Sequence, residues 1–81
     1  MIITTPEQLA AFIQNYRKQS KLSQMQIADL VGLRQSTVSA FENQPETIKL
    51  DTLFRILAAT ELEIDIHPRK KSEKHDEGDV W

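Results

Sequence analysis

The chain has 81 residues, 40% of them apolar, which is enough for one domain around one small core. It has no cysteine, so a disulfide framework and any cysteine-ligated metal centre are excluded; no apolar run is long enough to span a bilayer and no leader peptide opens the chain, so a cytoplasmic protein without a membrane partner is expected. The net charge of −2 does not by itself favour a polyanion, but residues 1–60 carry six basic against five acidic side chains, while residues 61–81 carry four against seven.

Thr5-Pro6-Glu7-Gln8 signals the start of the first helix: a threonine cap, proline at the first helical position, and glutamine completing a capping box. Leu9, Phe12, Ile13 and Tyr16 follow at three- and four-residue spacing and give one apolar face. Arg17, Lys18 and Lys21 gather at its C-terminal end, where they complement the helix dipole. A second helix opens at Ser23-Gln24-Met25-Gln26, runs through Ile27, Ala28, Leu30 and Val31, and halts at Gly32. A third runs from about Arg34 to Asn43 and is broken by Gln44-Pro45, because proline disfavours helix in the residue before it. A fourth, from about Leu50 to Thr60, aligns Leu50, Leu53, Phe54 and Leu57.

The period then changes. Leu62-Glu63-Ile64-Asp65-Ile66 alternates apolar and acidic residues, which predicts a strand over residues 62–67 with Glu63 and Asp65 on its solvent face. A lone strand in a helical chain leaves backbone groups unpaired, so pairing with the same strand of a second copy predicts a homodimer; the alternative is an extended tail folded onto its own bundle. Residues 68–81 are charged and nearly devoid of apolar side chains, which predicts a disordered tail, and they end in Val80-Trp81. Trp81 is either an anchor for a partner pocket or an unconstrained terminal residue.

The stretch from Gln24 to Asn43 meets the requirements of a helix-turn-helix, in which two helices cross closely through a tight turn. Ala28 supplies the small side chain at the crossing and Gly32 the residue tolerant of positive φ, while Ile27, Val31, Leu33, Val38 and Phe41 are the apolar inward positions. With that face inward, helix three turns Arg34, Gln35, Ser36, Ser39 and Ala40 outward. These are side chains suited to base edges: arginine for guanine, glutamine for adenine, serine for either, and alanine for the thymine methyl. Arg34 is equally suited to a phosphate. Thr37 falls between groove and protein. Lys21, Lys49 and Asn43 are phosphate candidates.

Gln24, Ile27, Ala28, Val31, Gly32, Leu33, Val38, Phe41 and Glu42 resemble the matching positions of the phage repressor and Cro family, also called the Xre family, and the layout covers residues 5 to 60. That resemblance implies a mainly α, four- to five-helix lambda-repressor-like domain over residues 1–61. It also implies base contacts by Gln35 and Ser36, and a phosphate contact by Gln24, which can otherwise serve as a capping amide. The Glu42-Asn43-Gln44-Pro45 loop, the helix carrying Phe54-Arg55-Ile56-Leu57, the alternating strand and a tail closing on tryptophan are similar, as a layout, to the HipB-type antitoxins. This narrower resemblance implies paired C-terminal strands (Leu62, Ile64, Ile66) in a homodimer, repression of the protein's own operon at double-stranded operator DNA, and neutralisation of a HipA-type serine/threonine kinase toxin.

Two readings compete with it: a stand-alone Xre-family regulator without a toxin partner, and a protein-interaction module. No Gly-rich phosphate loop or paired-histidine helix occurs, and His67 and His75 stand apart among proline and charges, so neither an enzyme nor a bound metal or cofactor is expected.

Overall fold

The computed structural model describes residues 1–69. Four α-helices follow one another: α1 (Pro6–Gln19), α2 (Gln24–Val31), α3 (Gln35–Asn43) and α4 (Leu50–Ala59), with a 3₁₀ turn at Pro45–Thr47 between the last two. The fold is mainly helical, as expected, and each start rests on a local signal. Thr5 caps α1 by accepting from the Gln8 N–H at 3.1 Å, while the Gln8 side chain reaches one residue beyond the expected box and accepts from the Thr4 N–H at 2.7 Å. At α2 the box is complete: Ser23 Oγ accepts from the Gln26 N–H and Gln26 Oε1 from the Ser23 N–H. Gly32 ends α2 in the left-handed conformation at φ +70°, and the Leu33 N–H returns to the Ala28 carbonyl.

α2 packs against both α3 and α4, and α1 packs against α3 and the 3₁₀ turn. The interior consists of two small apolar patches. Ala10, Ile13, Phe41, Ile56 and Leu57 form one, and Ile27, Ala28 and Val38 the other. Leu33, in the turn between α2 and α3, packs against both.

Two helix faces differ from the expected ones. On α1 the buried positions are Ala10, Ile13 and Arg17; Leu9 and Phe12 flank them half-buried, and Tyr16 lies outside, its ring stacked on Phe12 with centroids 6.3 Å apart. Arg17 therefore does not act as a surface cation answering the helix dipole. α2 turns the expected residues inward, Ile27 and Ala28 buried and Val31 half-buried, with Leu30 exposed. On α4 the inward residues are Ile56, Leu57 and, in part, Leu53, whereas Leu50 is 68% exposed and Phe54 52% exposed. The inward stripe runs through Leu53, Ile56 and Leu57 to the first patch and through Ala59 to the second, leaving Leu50 and Phe54 on its exposed side.

Beyond Glu61, which takes a positive φ of 58°, residues 62–69 form neither helix nor β-ladder among the described residues. Leu62 packs against the core, Ile64 is partly exposed and Ile66 is 87% exposed. A ladder needs a second strand, and there is none among the described residues. The expected charged tail lies, from residue 70 on, outside the described residues, and so does Trp81. No described helix is long and apolar enough to cross a membrane.

A Cβ at Gly32 would meet no atom within 4 Å, so only the backbone conformation restricts this position. Gly32→Ala should therefore cost about 1–2 kcal/mol through φ alone. In a thermal melt, Tm should fall by about 4–8 °C per kcal/mol for a domain of this size. An unchanged Tm would show that the turn does not need the left-handed residue.

Candidate nucleic-acid interface

α3 begins immediately after the Gly32-Leu33 turn, with Arg34 as its N-cap residue. Val38 and Phe41 bury its inner side, and this fixes which residues face out. Arg34, Gln35, Ser36 and Ala40 are exposed, Thr37 and Ser39 half-buried. At the far end Asn43 is exposed, and its Nδ2 donates to the Ser39 carbonyl at 3.0 Å and to Ser39 Oγ at 3.3 Å, so these two side chains sit together one turn apart. Lys21, at φ +60° just ahead of α2, and Lys49, the residue before α4, are both exposed. Among the described residues, no side-chain hydrogen bond or ion pair engages Lys21, Arg34 or Lys49, so their charges are available to an anion. The expected residues thus fall on α2, on α3 and its N-cap, and on the connections before α2 and α4. Two of them, Gln24 and Gln35, are joined directly: Gln35 Nε2 donates to Gln24 Oε1 at 2.6 Å.

Beneath that pair lies an arrangement the sequence reading missed. Glu42, on α3, has a side chain only 1% exposed, and Arg17, on α1, one only 10% exposed. The guanidinium donates twice to the carboxylate, from Nε to Oε2 at 2.7 Å and from Nη2 to Oε1 at 3.1 Å. Its Nη1 donates to the Leu22 carbonyl at 2.8 Å, tying the α1–α2 connection to the same ion pair. Gln24 Nε2 donates to Glu42 Oε1 at 2.8 Å. No buried side-chain nitrogen or oxygen among the described residues lacks a hydrogen-bond partner. A fully satisfied, two-pronged arginine–carboxylate pair is directional as well as strong, so it sets the angle between α1 and α3.

The Helix-turn-helix family model matches residues 13–66, well over half of the chain. Antitoxin HipB of Escherichia coli K12 is 36% identical over 70 residues, which span 86% of this chain and 80% of HipB. The chain belongs to the HipB family of helix-turn-helix proteins. Antitoxin HigA1 of Mycobacterium tuberculosis H37Rv is 49% identical over 43 residues, but these cover 53% of this chain and only 29% of HigA1. Among solved structures, HipB in a HipA–HipB–O2–O3 complex superposes with a TM-score of 0.85 at 36% identity, covering 86% of this chain and 99% of that one. HipB in a complex with an O4 20mer gives 0.84 with the same identity and coverage.

The helix-turn-helix was foreseeable from the alanine, glycine and apolar spacing, and the narrower HipB likeness from the layout after α3. The Arg17–Glu42 pair was not, because the partners are 25 residues apart and neither interrupts an apolar period. The one available signal was Arg17 itself, four residues after Ile13 on the inward side of α1.

Removing one partner strands the other in a dry site. Arg17→Met should destabilise the fold by about 3–5 kcal/mol, and Arg17→Met with Glu42→Leu should regain most of that loss. Urea unfolding of the two singles and the double measures this. A single substitution no worse than a surface change would mean that the pair does not organise the interior.

Proposed function

We propose that the protein is a sequence-specific DNA-binding repressor and antitoxin, which as a homodimer autoregulates its operon at operator DNA and neutralises a HipA-type serine/threonine kinase. The observation that carries the reading is the exposed edge of α3. It holds Arg34, Gln35, Ser36 and Ala40 outward beside free cationic groups, on a chain that superposes on nearly the whole of HipB bound to O4 and to HipA with O2–O3. We read those O-elements as operator duplexes. Binding operator DNA places the protein in the cytoplasm.

In this reading α3 enters the major groove. Gln35 and Ser36 meet base edges first, Arg34 and Ser39 flank them, and Ala40 touches a thymine methyl. Lys21, Gln24, Asn43 and Lys49 contact phosphates and fix the helix in register. The helix-turn-helix occupies residues 1–61. Residues 62–67 pair with the same segment of a second copy: Leu62 is already inward, while Ile64 and Ile66 present apolar surface and open backbone that an antiparallel partner would satisfy. Two copies so joined place two recognition helices on a palindromic site. The toxin-facing role follows from similarity to HipB in its complex with HipA, and we assign the Trp81 end of the tail as the anchor for that partner.

The direct test is fluorescence anisotropy with the DNA immediately upstream of the protein's own gene, against random duplex of the same length. Tight, salt-sensitive, selective binding is expected, and indifference between the two duplexes would end the repressor reading. Gln35→Ala should weaken binding to the preferred duplex by about 1–3 kcal/mol and relax one base position, whereas Lys21→Ala should weaken all duplexes alike and lower the salt slope by about one. Equal losses for Gln35→Ala on preferred and random DNA would remove its base-reading role.

Ile64→Asp should convert the dimer to monomer in sedimentation velocity by placing a charge where apolar cover is needed. Retention of the dimer would move the interface elsewhere.

A further inference from the structure

We propose that Glu42 is a positioning residue for base recognition: its buried carboxylate sets, through Gln24, the direction in which the Gln35 amide faces the duplex, without itself touching DNA. This rests on the duplex-reading role proposed for α3 and specifies how that role is enforced.

A glutamine head group has two unlike ends, an acceptor oxygen and a donor nitrogen, and a half turn about its last bond exchanges them. Beside a neutral partner that both donates and accepts, either orientation is permitted. Here the chain of contacts begins at a group that only donates and one that only accepts. Arg17 donates from Nε and Nη2 to Glu42, whose carboxylate can answer only as an acceptor. Gln24 must therefore turn its nitrogen toward Glu42, and it does, at 2.8 Å. Its oxygen then points the other way and can be met only by a donor. Gln35 supplies that donor at 2.6 Å, so its nitrogen lies on the Gln24 side. What Gln35 has left for the groove is its Oε1 and the second N–H, in a fixed order. Adenine offers N7 and N6–H₂ in a fixed order too, so one amide orientation matches and the other sets like groups against like. Glu42 stands at the buried end of this relay, its side chain 1% exposed, which keeps water from relaxing the arrangement.

Glu42→Gln removes the fixed end of the relay. The new amide has one oxygen where the carboxylate had two, so one of the two Arg17 donors faces an N–H whichever way the amide turns. With its nitrogen in the place of Oε1 it donates to Gln24, which turns over to accept and sets its own nitrogen against the Gln35 oxygen; with its oxygen there the wild-type order is kept. The base-reading amide is then no longer held to one orientation, with no atom at the DNA surface changed in kind.

The experiment first selects the preferred duplex of the wild-type dimer from a randomised pool. Binding of wild type, Glu42→Gln, Gln35→Ala and the double variant is then measured on that duplex and on its single-base-pair variants. For Glu42→Gln we expect discrimination to fall by about tenfold at one base pair in each half-site, the same pair at which Gln35→Ala loses preference, with other positions unchanged. The double variant should lose no more there than Gln35→Ala alone. Losses spread evenly over all positions, or a loss that persists in the Gln35→Ala background, would make Glu42 a purely structural residue and overturn the proposal. If circular dichroism shows that Glu42→Gln does not fold, Gln24→Met decides the matter, since it leaves the Arg17–Glu42 pair intact and cuts the relay in its middle. It should add, to any uniform loss of a phosphate contact, the same position-specific loss without additivity to Gln35→Ala; a uniform loss alone overturns the proposal. Should wild type select no sequence, the DNA-reading role fails and this inference falls with it. A selective wild type with no coupling defeats the relay alone.

Discussion

Arg17 and Glu42 meet where α1, α2 and α3 converge, and the orientation of the outward edge of α3 depends on their two-pronged contact. Val38 and Phe41 seat the inner side of α3 in the interior, but apolar burial is itself non-directional. A guanidinium held against a carboxylate cannot slide without breaking hydrogen bonds that water does not replace at that depth. The pair also takes in the Leu22 carbonyl, so the connection leading into α2 is located by the same atoms. One ion pair thereby fixes where α2 begins, where α3 lies, and how the two glutamines between them are presented.

The sequence made the helix-turn-helix legible because its constraints are local and each demands a particular residue type. Ser23 and Gln26 announce the start of α2, Gly32 marks a left-handed turn, and Ala28 occupies a crossing that a larger side chain would wedge apart. What stayed hidden was relational. Arg17 reads as one of three cations at a helix end, and only the fold shows that it faces inward while Lys18 and Lys21 do not. On α4, periodicity admitted two overlapping stripes, and tertiary packing chose the one through Ile56 and Leu57. For the candidate interface, the residue types were visible in advance, but the bond between Gln24 and Gln35 joins residues eleven apart on different helices.

The segment after α4 illustrates the same limit from the other side. Its alternation of apolar and acidic residues is plain, yet the described residues give it nothing to pair with, and residues 62–69 run free of any ladder. A β-ladder is a property of a pair, so alternation within one segment does not by itself say what the segment pairs with. Leu50 and Phe54 likewise leave apolar side chains exposed on α4.

Leu33 has a consequence of its own. It is the one residue that both apolar patches hold in common, and it stands in the hinge of the DNA-reading motif rather than in a helix. The recognition helix is itself seated in both, Phe41 in one and Val38 in the other, so a leucine shared between the patches ties the seating of that helix to the turn that precedes it. A change at Leu33 would be felt at both points where the helix is anchored.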